Sequence, residues 1–169
     1  KIEDLDAGVY HLCPADFTLT QLRKGDFRSM LITATGNNNK IIQAPITLIF
    51  TSIAWRNSWK YQARSYRHWF WDAGVILVNF LALCNNNVLS SEIILGYQDE
   101  LINNLLWLQN QKEAAIALAS IEGYYNYNNH KQSNSIQLSP INCETKPLSK
   151  YEETVYPDIW KIHKSSNLN

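Results

Sequence analysis

Apolar and polar positions follow two rhythms along this chain, one of period two and one of helical period. Val9-Tyr10-His11-Leu12 and Thr18-Leu19-Thr20-Gln21-Leu22 have strand composition, and Pro14-Ala15-Asp16 between them is turn-forming. A β-hairpin over Gly8 to Leu22 is predicted. Gly25-Asp26 then opens a short helix with Phe27, Met30 and Leu31 at apolar spacing, and Gly36-Asn37-Asn38-Asn39 ends it. After Pro45, Ile46-Thr47-Leu48-Ile49-Phe50 is a continuous apolar run, which predicts a strand covered on both faces. The longest helical pattern runs from Ser65 to Asn85. Its Ile76, Leu77, Phe80, Leu81 and Leu83 cover more than one face, which predicts a central, largely buried helix. Ile93-Ile94-Leu95 reads as a short strand. Asp99 to Leu108 reads as a helix with Asp99 near its N-cap and Leu101, Ile102, Leu105 and Leu106 inward. Glu113 to Ile121 fits two elements: its alanines favour helix, and its alternation would serve a strand.

Bulk properties narrow the possibilities. A chain of 169 residues with 46% hydrophobic content fits one domain with a real core. Residues 1–122 form its body. Residues 123–145, rich in Tyr, Asn, Ser and Gln, read as a polar loop, and residues 146–169 as a docking tail or a linker to a second domain. The net charge is zero, so no bulk electrostatic argument favours nucleic acid or a membrane surface. Val75 to Cys84 is the best apolar run and is too short to span a bilayer. Cys13, Cys84 and Cys143 are scattered and odd in number. They read as reduced thiols of a cytoplasmic protein, with Cys84 buried in a helix. His11, His68, His130 and His163 are too dispersed to suggest zinc. The chain opens on Lys1 and runs quickly into a strand, which suggests that an upstream part is missing.

The densest chemistry lies between Trp55 and Gly74. Four cations, two tyrosines, four tryptophans and one acid share these twenty positions. Aromatics interleaved with fixed positive charge suit a planar or anionic ligand. The plainer alternative is a helix entrance whose aromatics pack and whose arginines pair with acids elsewhere. Asp72 reads as structural, orienting Arg67 or His68 from the next turn. Asn79, polar in an apolar helix, reads as bonded to backbone or to a partner chain.

Lys60-Tyr61 followed by Arg64, Tyr66-Arg67 and Asp72-Ala73-Gly74 resembles the nitroreductase family, and more closely its SagB-type dehydrogenases, which include thiazoline and oxazoline oxidases. Further pieces match in order. They are Leu5-Asp6-Ala7-Gly8-Val9-Tyr10-His11, Leu22-Arg23-Lys24-Gly25-Asp26-Phe27-Arg28, Ala44-Pro45, Gly96-Tyr97-Gln98-Asp99, Leu105-Leu106-Trp107-Leu108 and Tyr156-Pro157-Asp158-Ile159. The resemblance implies an incomplete α+β nitroreductase-like fold with a long central helix on a mixed sheet. It implies flavin mononucleotide (FMN) at the interface of a homodimer or a tandem pair of such domains. It also implies hydride transfer at the flavin and a peptide substrate whose thiazoline or oxazoline rings become azoles. Lys60 and Tyr61 then take the places of the family's catalytic pair, and Arg56, Arg64 and Arg67 supply positive potential toward flavin or substrate. A lysine serves as a base near neutrality only where desolvation or neighbouring cations favour its neutral form.

The chain departs from the family pattern at three glycines. Gln62 follows Lys-Tyr, Trp107 stands in the Leu-Leu-Gly-Leu pattern, and Asn85-Asn86-Asn87-Val88-Leu89 replaces Ala-Leu-Gly-Leu. Valine is expected to refuse the positive-φ geometry, and Asn87 could take it only one position early. These losses keep a second expectation open, that of a degenerate, flavin-poor domain supporting a partner. An aromatic-rich module that binds a peptide without flavin is a third.

Overall fold

Strand pairing begins at the amino-terminal end. A computed structural model describes residues 2, 4–123, 138–142, 150 and 152–168 of the chain. Gly8–Cys13 (β1) and Thr18–Lys24 (β2) form an antiparallel hairpin in which Leu12 faces Leu19. Close approach demands glycine at its base, because a Cβ on Gly8 would sit 2.6 Å from the Arg23 carbonyl oxygen.

Arg28–Ala34 (α1) follows as predicted. The Asn37-Asn38-Asn39 break does more than stop it. The Asn38 side chain accepts from the amides of Lys40 and Ile41 and caps a further helix, Asn39–Gln43 (α2), which periodicity over five residues could not announce. Ile46–Ile53 (β3) leads into Trp55–Tyr61 (α3), a short 3-10 turn at Gln62–Arg64, and the long helix Ser65–Asn86 (α4). Ser91–Ile94 (β4), Asp99–Leu106 (α5), Glu113–Ile121 (β5) and Pro157–Ser166 (α6) complete the order.

The second sheet has the order β3-β5-β4, antiparallel throughout. Its centre is therefore the ambiguous segment, β5, in which positions 114–120 are all buried. Small alanines there let helices approach both faces. Ala115 and Leu118 join α1, α2 and α5 in one cluster, while Ala117 and Ala119 meet Leu77 of α4, and Ala114 and Ile116 meet Trp69 and Ile159. The apolar run of β3, expected to be covered on both faces, is an edge strand of mostly intermediate burial. A bulge between Phe50 and Thr51 interrupts the β3–β5 register, and the amide of Ala115 beside it is satisfied by Asn103 Oδ1 of α5 at 3.1 Å.

Two further expectations are corrected. The α4 helix is not largely buried in this chain. Its inward stripe is Ser65, Trp69, Ala73, Leu77 and Cys84, and the other sides carry large exposed apolar residues. Asp99 stands beside the N-cap of α5, Gln98, as expected, and its carboxylate accepts from the Leu168 amide at 3.0 Å. Val88 does take the left-handed conformation, at φ 56°, and the Leu89 amide reaches back to the Cys84 carbonyl at 2.9 Å to close the helix end. The helix-closing hydrogen bond outweighs the local preference of a β-branched residue there. The polar segment at 124–137, and residues 143–149 with Cys143 and the start of the expected docking tail, lie outside the described residues.

Candidate functional site

Helix α3 and the start of α4 meet at a tight bend, and this bend builds the candidate site. Gln62 makes the bend possible by holding φ 50°, ψ −138°, backbone angles that glycine adopts readily and other residues adopt under strain. Asn57 Nδ2 on α3 donates to Asp72 Oδ2 on α4 at 3.1 Å and ties the two helices together. Asp72 thus has the structural role expected of it, with Asn57 as its partner in place of Arg67 or His68.

Within this frame four side chains stack in sequence. Lys60 Nζ lies 5.1 Å from the centroid of the Tyr61 ring. Tyr61 stacks on His68, with centroids 4.2 Å apart and planes 14° from parallel. His68 in turn meets Trp71 at 5.1 Å. His68 Nδ1 is 3.4 Å from the Arg64 carbonyl, one helical turn back. Lys60 is exposed and Tyr61 half-buried, so water reaches the ammonium while His68 shields one face of the phenol ring. His68 and Trp71 were not singled out as site residues. Their i, i+3 spacing at the start of a helix was the available signal.

Arg56 lies in the first turn of α3, on the same face as Lys60 four residues on. Arg64 lies in the 3-10 turn and Arg67 in the first turn of α4. All three are exposed. Among the described residues the ion pairs are Arg28–Asp26 and Lys40–Glu122, so none of the four candidate cations has a carboxylate partner there. The plainer reading, in which these arginines pair with acids, is not what the described residues show.

The stack runs directly onto an apolar surface. Trp71, Val75, Ile76, Val78 and Leu83 are exposed along α4 by 53 to 67%. Asn79, exposed midway along this surface, donates to the Val75 carbonyl at 2.8 Å, the backbone bond expected of it. The cations and the Tyr61–His68–Trp71 stack therefore stand at one end of a continuous apolar face. A cleft elsewhere, between α3 and α6 and lined by Trp55, Ser58, Glu153 and Trp160, has room for about one water. It cannot hold a flavin.

A flavin mononucleotide needs positive charge for its phosphate and flat apolar surface for its ring system. The cations, without carboxylate partners among the described residues, and the partly exposed aromatic stack would fit those needs as an open half-site, and a second unit would have to supply the rest. No helix among the described residues is long and apolar enough to cross a membrane.

The chain matches no protein-family model and has no significant match among curated proteins. Its fold does have solved counterparts. A protein of Anabaena variabilis described as a nitroreductase superposes over 99% of this chain with a TM-score of 0.75 at 21% identity. A chain of the E. coli microcin synthetase McbBCD complex, solved with truncated pro-MccB17 bound, superposes over 73% with a TM-score of 0.65 at 20% identity. The matched region is 34% of the first protein and 48% of the second, so this chain spans from a third to a half of their lengths. The fold is nitroreductase-like and of the α+β class.

Proposed function

We propose that this chain contributes half of a flavin site in an FMN-dependent oxidoreductase of the SagB type, with a second nitroreductase-like unit, as homodimer or tandem domain, seated on α4. One observation carries this reading. Four cations without described carboxylate partners and an ordered aromatic stack stand at the end of an exposed apolar helix face. The seated unit would bury both at once. The bound flavin supplies two-electron chemistry at its ring.

The chain's own residues do the rest. Arg56, Arg64 and Arg67 hold the phosphate or an anionic substrate group. Tyr61, fixed by His68, presents its hydroxyl to a developing anion and relays a proton. Lys60, dehydrated by the second unit, takes the proton from a substrate ring carbon as the hydride departs. The likeness to a synthetase complex solved with truncated pro-MccB17 bound supports a peptide as the substrate, and the family resemblance of Lys60-Tyr61 adds thiazoline or oxazoline rings to it.

A second reading rests on Gln62, Val88 and Trp107. Non-glycine residues there strain the same three bends that glycines relieve in the family pattern, which suits a flavin-poor copy that buttresses a partner domain. The assembled protein decides between them. Yellow flavin absorbance on purification supports the first reading, and its absence supports the second. With flavin retained, Lys60→Ala is expected to lower turnover of a thiazoline peptide by roughly 10²- to 10⁴-fold. Undiminished turnover would remove Lys60 from the chemistry.

A further inference from the structure

Helix α6 lies across the molecule far in sequence from everything it touches. Ile159 and His163 face inward, at 1% and 7% exposure. The His163 ring is enclosed by aromatic residues of two elements. Tyr66 and Trp69 of α4 stand at 6.1 and 5.9 Å between centroids, and Trp160 of α6 at 5.9 Å. Nδ1 is 3.5 Å from the Tyr66 hydroxyl, which is itself 3.3 Å from Ser166 Oγ. Nε2 is buried with no hydrogen-bond partner among the described residues. Beyond the helix, Leu168 is fastened by its amide to Asp99 and by a parallel bridge to Gln98.

This cage suits a neutral imidazole. One ring nitrogen can share a hydrogen with Tyr66, and the other can stay a bare acceptor at modest cost. An imidazolium would carry a second N–H with nothing to receive it, and a charge removed from water. The titratable and charged groups around the ring are few. Tyr66 faces it from α4. Asp99, at the start of α5, is the one nearby charge that favours protonation. Arg64 of the 3-10 turn packed against α6 is exposed, as are Asp158, Lys161 and Lys164 of α6 itself. Burial outweighs the pull of Asp99 and holds His163 below its ordinary value of 6.5.

We propose that α6 is a proton-released strap, seated on α4 and α5 while His163 is neutral and lifted when His163 takes up a proton. A base with a depressed folded value stabilises docking fully above its free value. That contribution falls as pH drops below about 6.5, until the docked form also protonates. Because α6 packs on the Gln62–Arg64 turn, release would uncover the segment joining Tyr61 to Arg64. The strap stands whether or not that turn serves a flavin.

Hydrogen exchange of residues 157–168 in the full chain, corrected for the intrinsic pH dependence of exchange, tests the strap. Protection of this segment should fall by up to about tenfold per pH unit below the free histidine value, while β5 keeps its own. His163→Gln, uncharged at every pH, should abolish that dependence. Asp99→Asn, which still offers Leu168 an acceptor but removes the charge that favours a docked imidazolium, should deepen the loss of protection at low pH. The ring resonances of wild-type His163 give a readout independent of any variant, with a midpoint below 6.5 that coincides with loss of protection. A midpoint at or above that value, unchanged protection at about pH 5.5, or the same pH dependence in His163→Gln would each overturn the proposal.

Discussion

Gln62, Val88 and Trp107 hold φ angles of 50°, 56° and 58°, in the region where a side chain collides with its own backbone. Each sits at a bend that the chain cannot give up. Val88 and Trp107 close helices α4 and α5 by turning the chain so that the next amides, those of Leu89 and Leu108, reach back to the Cys84 and Asn103 carbonyls. Val88 is the worst placed of the three, since it is β-branched and 93% exposed, with little packing to offset the strain. Val88→Gly is expected to raise unfolding stability by about 1 kcal/mol, the relieved strain being partly cancelled by the greater freedom of glycine in the unfolded chain. A urea titration of the two proteins measures it, and a lower midpoint in the variant would mean that Val88 is not left-handed in solution. Trp107→Gly should gain less, because half of the indole is packed. The resemblance to the family pattern marked these three positions, but it could not say whether the bend or the residue would yield. In the structure the bend persists and the residue bears the strain.

At the level of elements, α4 sets the terms. Local periodicity predicted its span to within a residue at either end, because helical rise and apolar spacing are properties of the segment itself. Which sides meet protein was not legible. A helix apolar on several faces is buried on several faces only if partners exist, and the described residues supply a partner for one stripe. The exposed Trp71, Val75, Ile76, Val78 and Leu83 face is larger than an isolated helix keeps in water without cost. Placing a charge at its centre therefore probes association without touching the core. Val78→Glu is expected to weaken assembly of the native protein by tenfold or more, about 1.4 kcal/mol, with the fold unchanged. Analytical ultracentrifugation reads it, and an unaltered mass distribution would show that α4 is not the contact surface.

For the molecule as a whole, acid stability should fall in two stages. The first belongs to His163, and runs downward from about 6.5 toward its depressed folded value. The second belongs to carboxylates held below their ordinary values by partners. Asp26 is held by hydrogen bonding to Arg28, and Glu122 by hydrogen bonding to Lys40. Their contribution is complete above the ordinary carboxylate values of 3.8 and 4.5 and is lost as pH falls through the depressed ones. Denaturation midpoints measured across pH should show both limbs in the wild type. His163→Gln should lose only the upper one, and persistence of that limb would assign it to another group.

What the chain determined locally is the set of elements whose cause is local. The β1–β2 hairpin, the span of α4, the start of α5 and the burial of Cys84 follow from side-chain periodicity and turn chemistry within a few residues. The cation and aromatic segment was also visible as a composition. Tertiary structure alone decided that β5 takes the middle of the sheet and β3 its edge, because that choice depends on which helices cover each face. It alone set Tyr61 against His68, tied Asp72 to Asn57, and enclosed His163 with Tyr66 from nearly a hundred residues away. Contacts at that separation depend on how the chain closes its loops, and no short window of sequence carries that information.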